Sequence, residues 1–301
     1  MVNFLRQSRT LMNRRTFVKN STFAAASVSV FGSIYWNGRS FEGNNPTTTD
    51  ILGPFYRPGC PMRSNIAPPD SAGEPFSVSG TIFQADGKKP MAGALVEVWQ
   101  CDEKGAYDNT SDDYLCRGAV KTGADGKYTF KTIIPVPYSV GAGYRPAHIH
   151  MRISSDDHQD LITQIYFKGD PHLKEDPSSA SPQAVNRILE IKNSGKDKFV
   201  TFDIVMSKQF PLEAAAYKKL TGLYSLDDNK MLDFIHDGDL LFVKQDGLMV
   251  AALEYKGNNQ FEEPDGYKVQ FLFAQGAPTK IKITDYNGKV QGGVKYIKYP
   301  D

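Results

Sequence analysis

Short runs of alternating apolar and polar residues recur along most of the chain, and this pattern is typical of β-strands. Five runs rich in Val, Ile, Tyr, Phe and Thr lie at residues 77–83, 94–100, 127–133, 148–153 and 161–167. Turn-forming residues separate them, as in Ala85-Asp86-Gly87 and Ala124-Asp125-Gly126. Many short strands with such punctuation predict a β-sandwich.

Two short helices are predicted beside these strands. Residues 182–192 have Ser181 as an N-cap, Pro182 at the first helical position and apolar residues at helical spacing. Residues 198–206 return to strand alternation. Residues 211–220 then begin with Pro and contain an Ala run that favours helix propagation.

A second all-β unit is predicted beyond residue 222, where about seven short apolar runs are linked by Asp-Gly, Gly-Asn and Asn-Gly turns. It is either an open sheet or a barrel. Within it, Asp237-Gly238-Asp239 is interpreted as a hairpin loop rather than a calcium site. The predicted fold class is therefore all-β, with a β-sandwich over residues 51–210 followed by a β-rich C-terminal accessory domain over residues 211–301.

The N-terminal residues carry a candidate export signal. Asn-Arg-Arg-Thr-Phe-Val-Lys at 13–19 is a twin-arginine pattern, and a weakly apolar run follows at 21–35. The run is roughly 15 residues, short of the ~20 that a spanning helix needs. We therefore expect a signal segment over 1–36, a linker over 37–50, a periplasmic or extracellular location, and no stable membrane span after processing. Met12 is an alternative start.

Charge and cysteine content limit the classes of partner and of metal site that we expect for this chain. Lys and Arg total 35 against 34 Asp and Glu, for a formal net charge of +1, so nucleic acid and anionic membranes are not expected partners. A small molecule is expected instead, and a homo-oligomer is left open. Cys60, Cys101 and Cys116 allow at most one internal disulfide, and no pair has zinc-site spacing. Both a disulfide and free thiols are left open.

A His-x-His pair is the strongest chemical signal. On a strand, His148 and His150 share one face while Ile149 and Met151 share the other. The two imidazoles then start about 6–7 Å apart, which suits two ligands of one metal. Alone, the pair is compatible both with metal binding and with ordinary core or exposed histidines.

In these and neighbouring segments the chain resembles the intradiol ring-cleavage dioxygenases. The resemblance covers residues 50–205 and keeps that family's segment order. The matching segments are Ile-Leu-Gly-Pro-Phe-Tyr at 51–56, Val-Ser-Gly at 78–80, Ala-Leu-Val-Glu-Val-Trp-Gln at 94–100, Gly-Ala-Tyr at 105–107, Thr-Phe-Lys-Thr-Ile at 129–133, Pro-Tyr at 137–138, Arg-Pro-Ala-His-Ile-His at 145–150 and Leu-Ile-Thr-Gln-Ile-Tyr-Phe at 161–167.

The resemblance implies a ferric ion, Fe(3+), held by two tyrosinates and two histidines. These ligands map to Tyr107, Tyr138, His148 and His150. Tyr114 is a rival for the first tyrosine, and Tyr144 is a rival for the second.

The same resemblance implies roles for further residues. Arg145 would stabilise negative charge on the substrate ring, and Gln164 would form a hydrogen bond near the same point. Ile51, Pro54 and Tyr56 match a segment that lines the aromatic pocket, although they equally suit a core position.

The implied reaction splits a catechol-type ring between its two hydroxylated carbons, with dioxygen as co-substrate, to give a muconate-type diacid. In it, Tyr138 would leave the metal and take a proton from the diol. One alternative keeps the fold and removes catalysis, which makes the chain a β-sandwich binding module. A zinc or copper enzyme built on the histidine pair would leave Tyr107 and Arg145 unexplained.

Overall fold

The computed structural model describes residues 27–29, 32–36, 41–44, 46–141, 143–156, 158–207, 212, 214–264, 267–285 and 287–297. The chain forms two compact units, Met1–Asn45 and Pro46–Asp301. None of the described helices has the length and apolarity that a bilayer span requires.

The first unit contains a small antiparallel sheet. Its strands are β1 (Ser27–Ser29), β2 (Gly32–Trp36) and β3 (Phe41–Asn44). The predicted linker over 37–50 therefore contains a strand, because the backbone of β3 pairs with that of β2. The twin-arginine segment at 13–19 lies outside the described residues, so the signal stays a prediction.

The second unit begins with a run of strands and a short helical segment. Before the helical segment come β4 (Pro75–Phe83), β5 (Leu95–Trp99), β6 (Arg117–Lys121), β7 (Lys127–Ile133), β8 (Tyr138–Val140), β9 (Gly143–Arg145), β10 (His148–Ser155) and β11 (His158–Phe167). The helical segment is α1 (Pro177–Ala180) and a 3-10 helix (Pro182–Arg187). After it come β12 (Ile188–Leu189), β13 (Lys192–Ser194), β14 (Asp197–Thr201) and β15 (Ile204–Val205).

Two sheets face each other in this region. The front sheet has the order β12-β11-β10-β5-β6, and the back sheet has the order β13-β14-β4-β15 with β7 also paired to β4. Phe76 and Val78 from β4 share one buried core with Ile149 and Met151 from β10. Since side chains alternate along a strand, the two histidines of β10 point away from this core. The predicted β-sandwich is confirmed.

The predicted helix over 182–192 is wrong after Arg187. The chain forms one 3-10 segment, Pro182–Arg187, and then enters β12, which pairs in parallel with β11. The cause is tertiary: the Arg187 side chain is buried and forms an ion pair with Asp50, so the chain cannot continue along a surface helix. The predicted strand over 198–206 is likewise divided into β14 and β15, both parallel to β4.

The C-terminal region is a closed barrel that follows α2 (Ala214–Leu220). The predicted helix is confirmed over these residues, while Pro211 lies outside the described residues. The barrel strands are β16 (Gly222–Leu226), β17 (Met231–Asp237), β18 (Leu240–Gln245), β19 (Leu248–Gly257), β20 (Gln260–Glu262), β21 (Lys268–Ala274), β22 (Ala277–Thr284) and β23 (Val290–Ile297). Tyr217 and Leu220 of α2 pack into the barrel core.

The outer wall of the barrel packs against the sandwich. A shared apolar cluster contains Leu240, Phe242 and Ala252 from the barrel and Leu52, Tyr56, Trp99 and Ile162 from the sandwich region. The boundary predicted at residue 210 stays a prediction, because residues 46–301 form one compact unit.

The structure also answers two smaller questions, on the Asp237-Gly238-Asp239 turn and on the cysteines. Asp237 and Leu240 pair across the turn between β17 and β18, which confirms the hairpin interpretation of Asp237-Gly238-Asp239. Cys60, Cys101 and Cys116 are all free thiols, so the disulfide option is not adopted.

We expect Arg187→Met to lower the free energy of unfolding by about 3–5 kcal/mol, because Asp50 would stay buried without its counter-charge. The two side chains are 2% and 3% exposed. In the control Lys198→Met, the lost ion pair with Glu74 lies at the surface, so the expected loss is at most about 1 kcal/mol. Urea denaturation measures both. Equal losses would contradict the role given to the buried pair.

Candidate metal centre

Strand β10 brings its polar side chains into a buried layer of the front sheet. His148 lies opposite Tyr166 of β11, and His150 lies opposite Gln164 of β11 and Trp99 of β5. Both histidines are about 1% exposed. The sequence prediction that the two imidazoles share one face is therefore confirmed by the strand register.

The two imidazoles converge on one point. Their Nε2 atoms are 3.1 Å apart. The Nδ1 of His148 lies 2.6 Å from the carbonyl oxygen of Pro146, so Nδ1 carries the proton and Nε2 keeps its lone pair. The ring of His150 stacks on Trp99 with a centroid distance of 4.9 Å and an interplanar angle of 5°.

Two phenols complete this cluster. The Tyr107 hydroxyl lies 3.2 Å from Nε2 of His148, and its ring stacks on Phe55 at 4.3 Å. Tyr138, the first residue of β8, has its ring centroid 5.6 Å from those of Tyr107 and His148. Gly105 permits this approach: a Cβ there would lie 3.0 Å from the Cβ of Tyr138.

The rival tyrosines lie elsewhere. Tyr114 contacts the carbonyl oxygen of Pro58 and the guanidinium of Arg57. Tyr144 is 54% exposed and stacks on His172. The fold therefore brings together the pair favoured by the sequence motifs, Tyr107 and Tyr138.

The donor set suits a cation. Neighbouring ligands held about 2.0–2.2 Å from one ion lie about 3 Å apart, which is the spacing of the two Nε2 atoms and the Tyr107 hydroxyl. Burial lowers the pKa of His148 to about 3 and lowers that of His150 well below 6.5, so both rings stay neutral and able to bind.

Burial also raises the pKa of Tyr107, with a further rise from Tyr138. A cation at this point would stabilise the phenolate forms. Over the part of the chain that the structure describes, no three His, Cys, Asp or Glu side chains form a metal-binding group, so a metal ion here would need the phenols to complete its ligand set.

A charged network borders the cluster. Arg145 donates from Nε to Asp176 at 2.8 Å, and from Nη2 to Gln164 at 3.1 Å and to the hydroxyl of Tyr166 at 3.3 Å. The Gln164 amide donates to the carbonyl oxygen of Ile51 at 2.8 Å. Arg145 and Gln164 thus lie beside the cluster, in fixed orientations, and Gln164 is fully buried rather than solvent-facing.

The three residues predicted to line the pocket are dispersed. Ile51 contributes its carbonyl to the Gln164 contact, and Pro54 is exposed. Tyr56 is buried between Trp99 and Phe242, with its hydroxyl bonded to Arg152, so it occupies the core alternative.

Sequence reasoning missed four residues that contact the cluster or the Arg145 network. Tyr166 was detectable, because it lies two residues from Gln164 on the same strand face. Trp99 and Phe55 are within the matched segments, but nothing local shows that they stack on His150 and Tyr107. Asp176 is visible only as the N-cap of α1, and its pairing with Arg145 spans 31 residues.

The known proteins to which this chain is similar are dioxygenases. A family model described as Dioxygenase matches residues 51–208. Catechol 1,2-dioxygenase 1 of Acinetobacter lwoffii is 35% identical over 214 residues, covering 64% of this chain and 66% of that protein. Chlorocatechol 1,2-dioxygenase of Rhodococcus opacus is 36% identical over 165 residues, covering 47% and 64%. The crystal structure of catechol 1,2-dioxygenase from Pseudomonas arvilla C-1 has a TM-score of 0.50 at 28% identity, covering 55% of this chain and 64% of that one.

The chain thus spans just under two thirds of the length of these relatives. The family match ends at residue 208, before α2 and the barrel.

We expect the metal-free protein to lose stability as the pH falls below 6.5. In the unfolded chain both histidines bind protons below that pH, whereas in the folded chain burial holds the pKa of His148 near 3 and that of His150 well below 6.5. Stability is therefore complete above pH 6.5 and declines on acidification. The expected loss at pH 5 is about 2 kcal/mol from His148, with a further loss of the same sign from His150, measured by urea denaturation.

The double variant His148→Gln, His150→Gln should lose most of this pH dependence. The control His172→Gln changes a partly exposed histidine outside the cluster and should keep it. A pH profile unchanged in the double variant would contradict the assignment.

Proposed function

Because the chain belongs to the intradiol dioxygenase family, we propose that it cleaves catechol-type aromatic rings with dioxygen. The observation that carries the proposal is the convergence of the Tyr107 hydroxyl and the Nε2 atoms of His148 and His150, with Tyr138 beside them. In the proposed reaction the bond between the two hydroxylated carbons breaks, and both oxygen atoms enter the product, a muconate-type diacid.

Ferric iron is the cofactor that this donor set favours. Phenolate oxygens are hard anionic ligands and stabilise a trivalent ion over a divalent one. When bound by Tyr107, Tyr138, His148 and His150, ferric iron supplies the Lewis acidity that makes the aromatic diol, rather than dioxygen, the activated partner. His148 is pre-organised for this task, because Pro146 fixes its tautomer and leaves Nε2 free.

Tyr138 is the residue placed to exchange with substrate. It belongs to the two-stranded hairpin of β8 and β9 rather than to either large sheet. Its hydroxyl can therefore move without disturbing the core, and its phenolate oxygen would accept one proton from the incoming diol. Burial raises the pKa of this phenol, which suits a group that would hold a proton taken from the diol.

Arg145 supplies positive charge beside the reacting ring. Its guanidinium is held by Asp176 and by Gln164, so little reorganisation is needed when negative charge develops on the substrate. Gln164 is fixed in turn by Ile51. We assign to Arg145 electrostatic stabilisation and to Gln164 the positioning of that charge.

The iron form of the wild-type protein should be coloured by tyrosinate-to-iron charge transfer and should consume oxygen with catechol, hydroxyquinol or protocatechuate. Tyr107→Phe and Tyr138→Phe should each weaken or shift the visible band. The control Tyr144→Phe, an exposed tyrosine on the same hairpin as Tyr138, should leave it unchanged. Absorption spectroscopy and an oxygen electrode measure these results.

A colourless protein that binds zinc would overturn the iron assignment. A coloured protein that turns over none of the three diols would favour the binding-module alternative.

Replacement of Arg145 should lower turnover without removing the metal. We expect Arg145→Lys to reduce kcat by about 100-fold or more, because Lys cannot reproduce the forked contacts to Asp176 and Gln164. Iron content and the visible band should be retained. Arg63→Lys is the control, since Arg63 donates to the backbone carbonyl oxygens of Arg117, Asp113 and Tyr114, outside the cluster. Equal kcat for both variants would contradict the role of Arg145.

A further inference from the structure

The two histidines of the cluster are held in different ways. His148 donates from Nδ1 to the carbonyl oxygen of Pro146. The Nδ1 of His150 is buried and has no hydrogen-bond partner among the described residues. A histidine that binds metal is normally oriented by a hydrogen bond from its second ring nitrogen, so His150 needs another means of orientation.

Packing supplies that orientation. The ring of His150 lies flat on Trp99, and a Cβ at Gly53 would be only 3.0 Å from Cε1 of His150. Trp99 in turn contacts Tyr56, with ring centroids 4.9 Å apart and an interplanar angle of 58°. Tyr56 stacks on Phe242 of the barrel at 5.6 Å and 16°. An unbroken aromatic column, Phe242-Tyr56-Trp99-His150, therefore runs from the barrel wall to the cluster.

An ion-pair network reinforces the column. Arg152 lies two residues after His150 on the same face of β10, and it donates to Asp237 of the barrel at 2.7 Å. It also donates to Asp160 at 2.8 Å and to the hydroxyl of Tyr56 at 2.9 Å. Arg152 thus joins the β10 strand, the middle of the column and the barrel in one network, in which Arg152 and Asp160 are buried and the Asp237 side chain is 57% exposed.

The barrel turn that carries Asp237 fits closely against this network. Gly238 has φ +60°, and a Cβ there would collide with Oδ2 of Asp160 and lie 3.2 Å from Nη2 of Arg152. The Asp160 carboxylate is bonded to Arg152 and cannot simply rotate away. The turn therefore requires glycine both for its conformation and for its contact.

We propose that the C-terminal barrel is a positioning domain for the metal centre, which holds His150 in its binding orientation through the Phe242-Tyr56-Trp99 column and the Arg152-Asp237 contact. This inference rests on the proposed function in one respect, that His150 is a metal ligand. It gives the barrel, which lies outside the family match, a role at the centre itself.

The test uses matched pairs of variants in the full chain. Phe242→Leu breaks the column, whereas Phe271→Leu removes an equally buried ring from the barrel interior. Gly238→Ala disturbs the Arg152 network. Gly247→Ala is its control, because Gly247 also has a positive φ, +85°, and a Cβ there meets nothing within 4 Å.

Two readouts are needed, and one of them is independent of iron. In the metal-free protein, NMR should show the ring resonances of His150 displaced in Phe242→Leu and Gly238→Ala, because the ring current of Trp99 changes. In competition with a chelator, these two variants should bind ferric iron about 10-fold more weakly or worse, as expected for loss of outer-shell support. Both controls should match wild type in each readout.

The inference is overturned if Phe242→Leu and Phe271→Leu change the His150 resonances and the iron affinity equally, or if neither does. Should Phe242→Leu fail to fold, Gly238→Ala against Gly247→Ala decides the matter alone. A wild-type protein that binds no iron would refute the proposed function, and the NMR comparison would still decide whether the barrel positions His150.

Discussion

The organisation of this protein depends on one constraint: strand β10 is buried on both faces although only one of its faces is apolar. Ile149 and Met151 enter the sandwich core, while His148, His150 and Arg152 enter a second buried layer. Burying a polar group costs free energy unless the group finds a hydrogen-bond or charge partner. The loops and the barrel that cover the front sheet must therefore supply contacts to these three side chains. The histidine–tyrosine cluster, the network around Arg145 and the barrel contact each supply part of these contacts.

The buried charges around this layer also need partners, and each of them has one. Arg145 pairs with Asp176, Arg187 pairs with Asp50, and Arg152 pairs with Asp160. Such pairs contribute little net stability compared with apolar residues. Loss of one partner is nevertheless strongly destabilising, because the other charge stays buried without a partner. Their effect is to specify one arrangement of the loops above the sheet, which is what a centre built from ligands on separate elements requires.

Sequence reasoning succeeded where the signal was local. The two-residue period of β10 placed both histidines correctly, turn residues separated the strands, and the family motifs selected Tyr107 and Tyr138 over their rivals. It failed where partners are distant in sequence. The helix expected at 182–192 ended because Arg187 reaches Asp50 across 137 residues, and the sequence left pocket and core positions open for Tyr56, which lies against Phe242 in the core. Closure of the barrel depends on β16 pairing with β23, which no local pattern specifies.

The two histidines of β10 are held by different kinds of contact. A hydrogen bond such as that of His148 to Pro146 is directional and is complete within three residues. Stacking is not directional in this sense, and it holds a ring only as firmly as the packing behind it. For His150 that packing passes through Trp99 and Tyr56 to Phe242, so one imidazole contacts its neighbours in sequence and the other rests on packing that extends to the barrel. If Tyr56 lost its cover, the apolar patch it shares with Leu52 and Ile162 would face water. The sandwich and the barrel therefore behave as one functional body, although the family match ends between them.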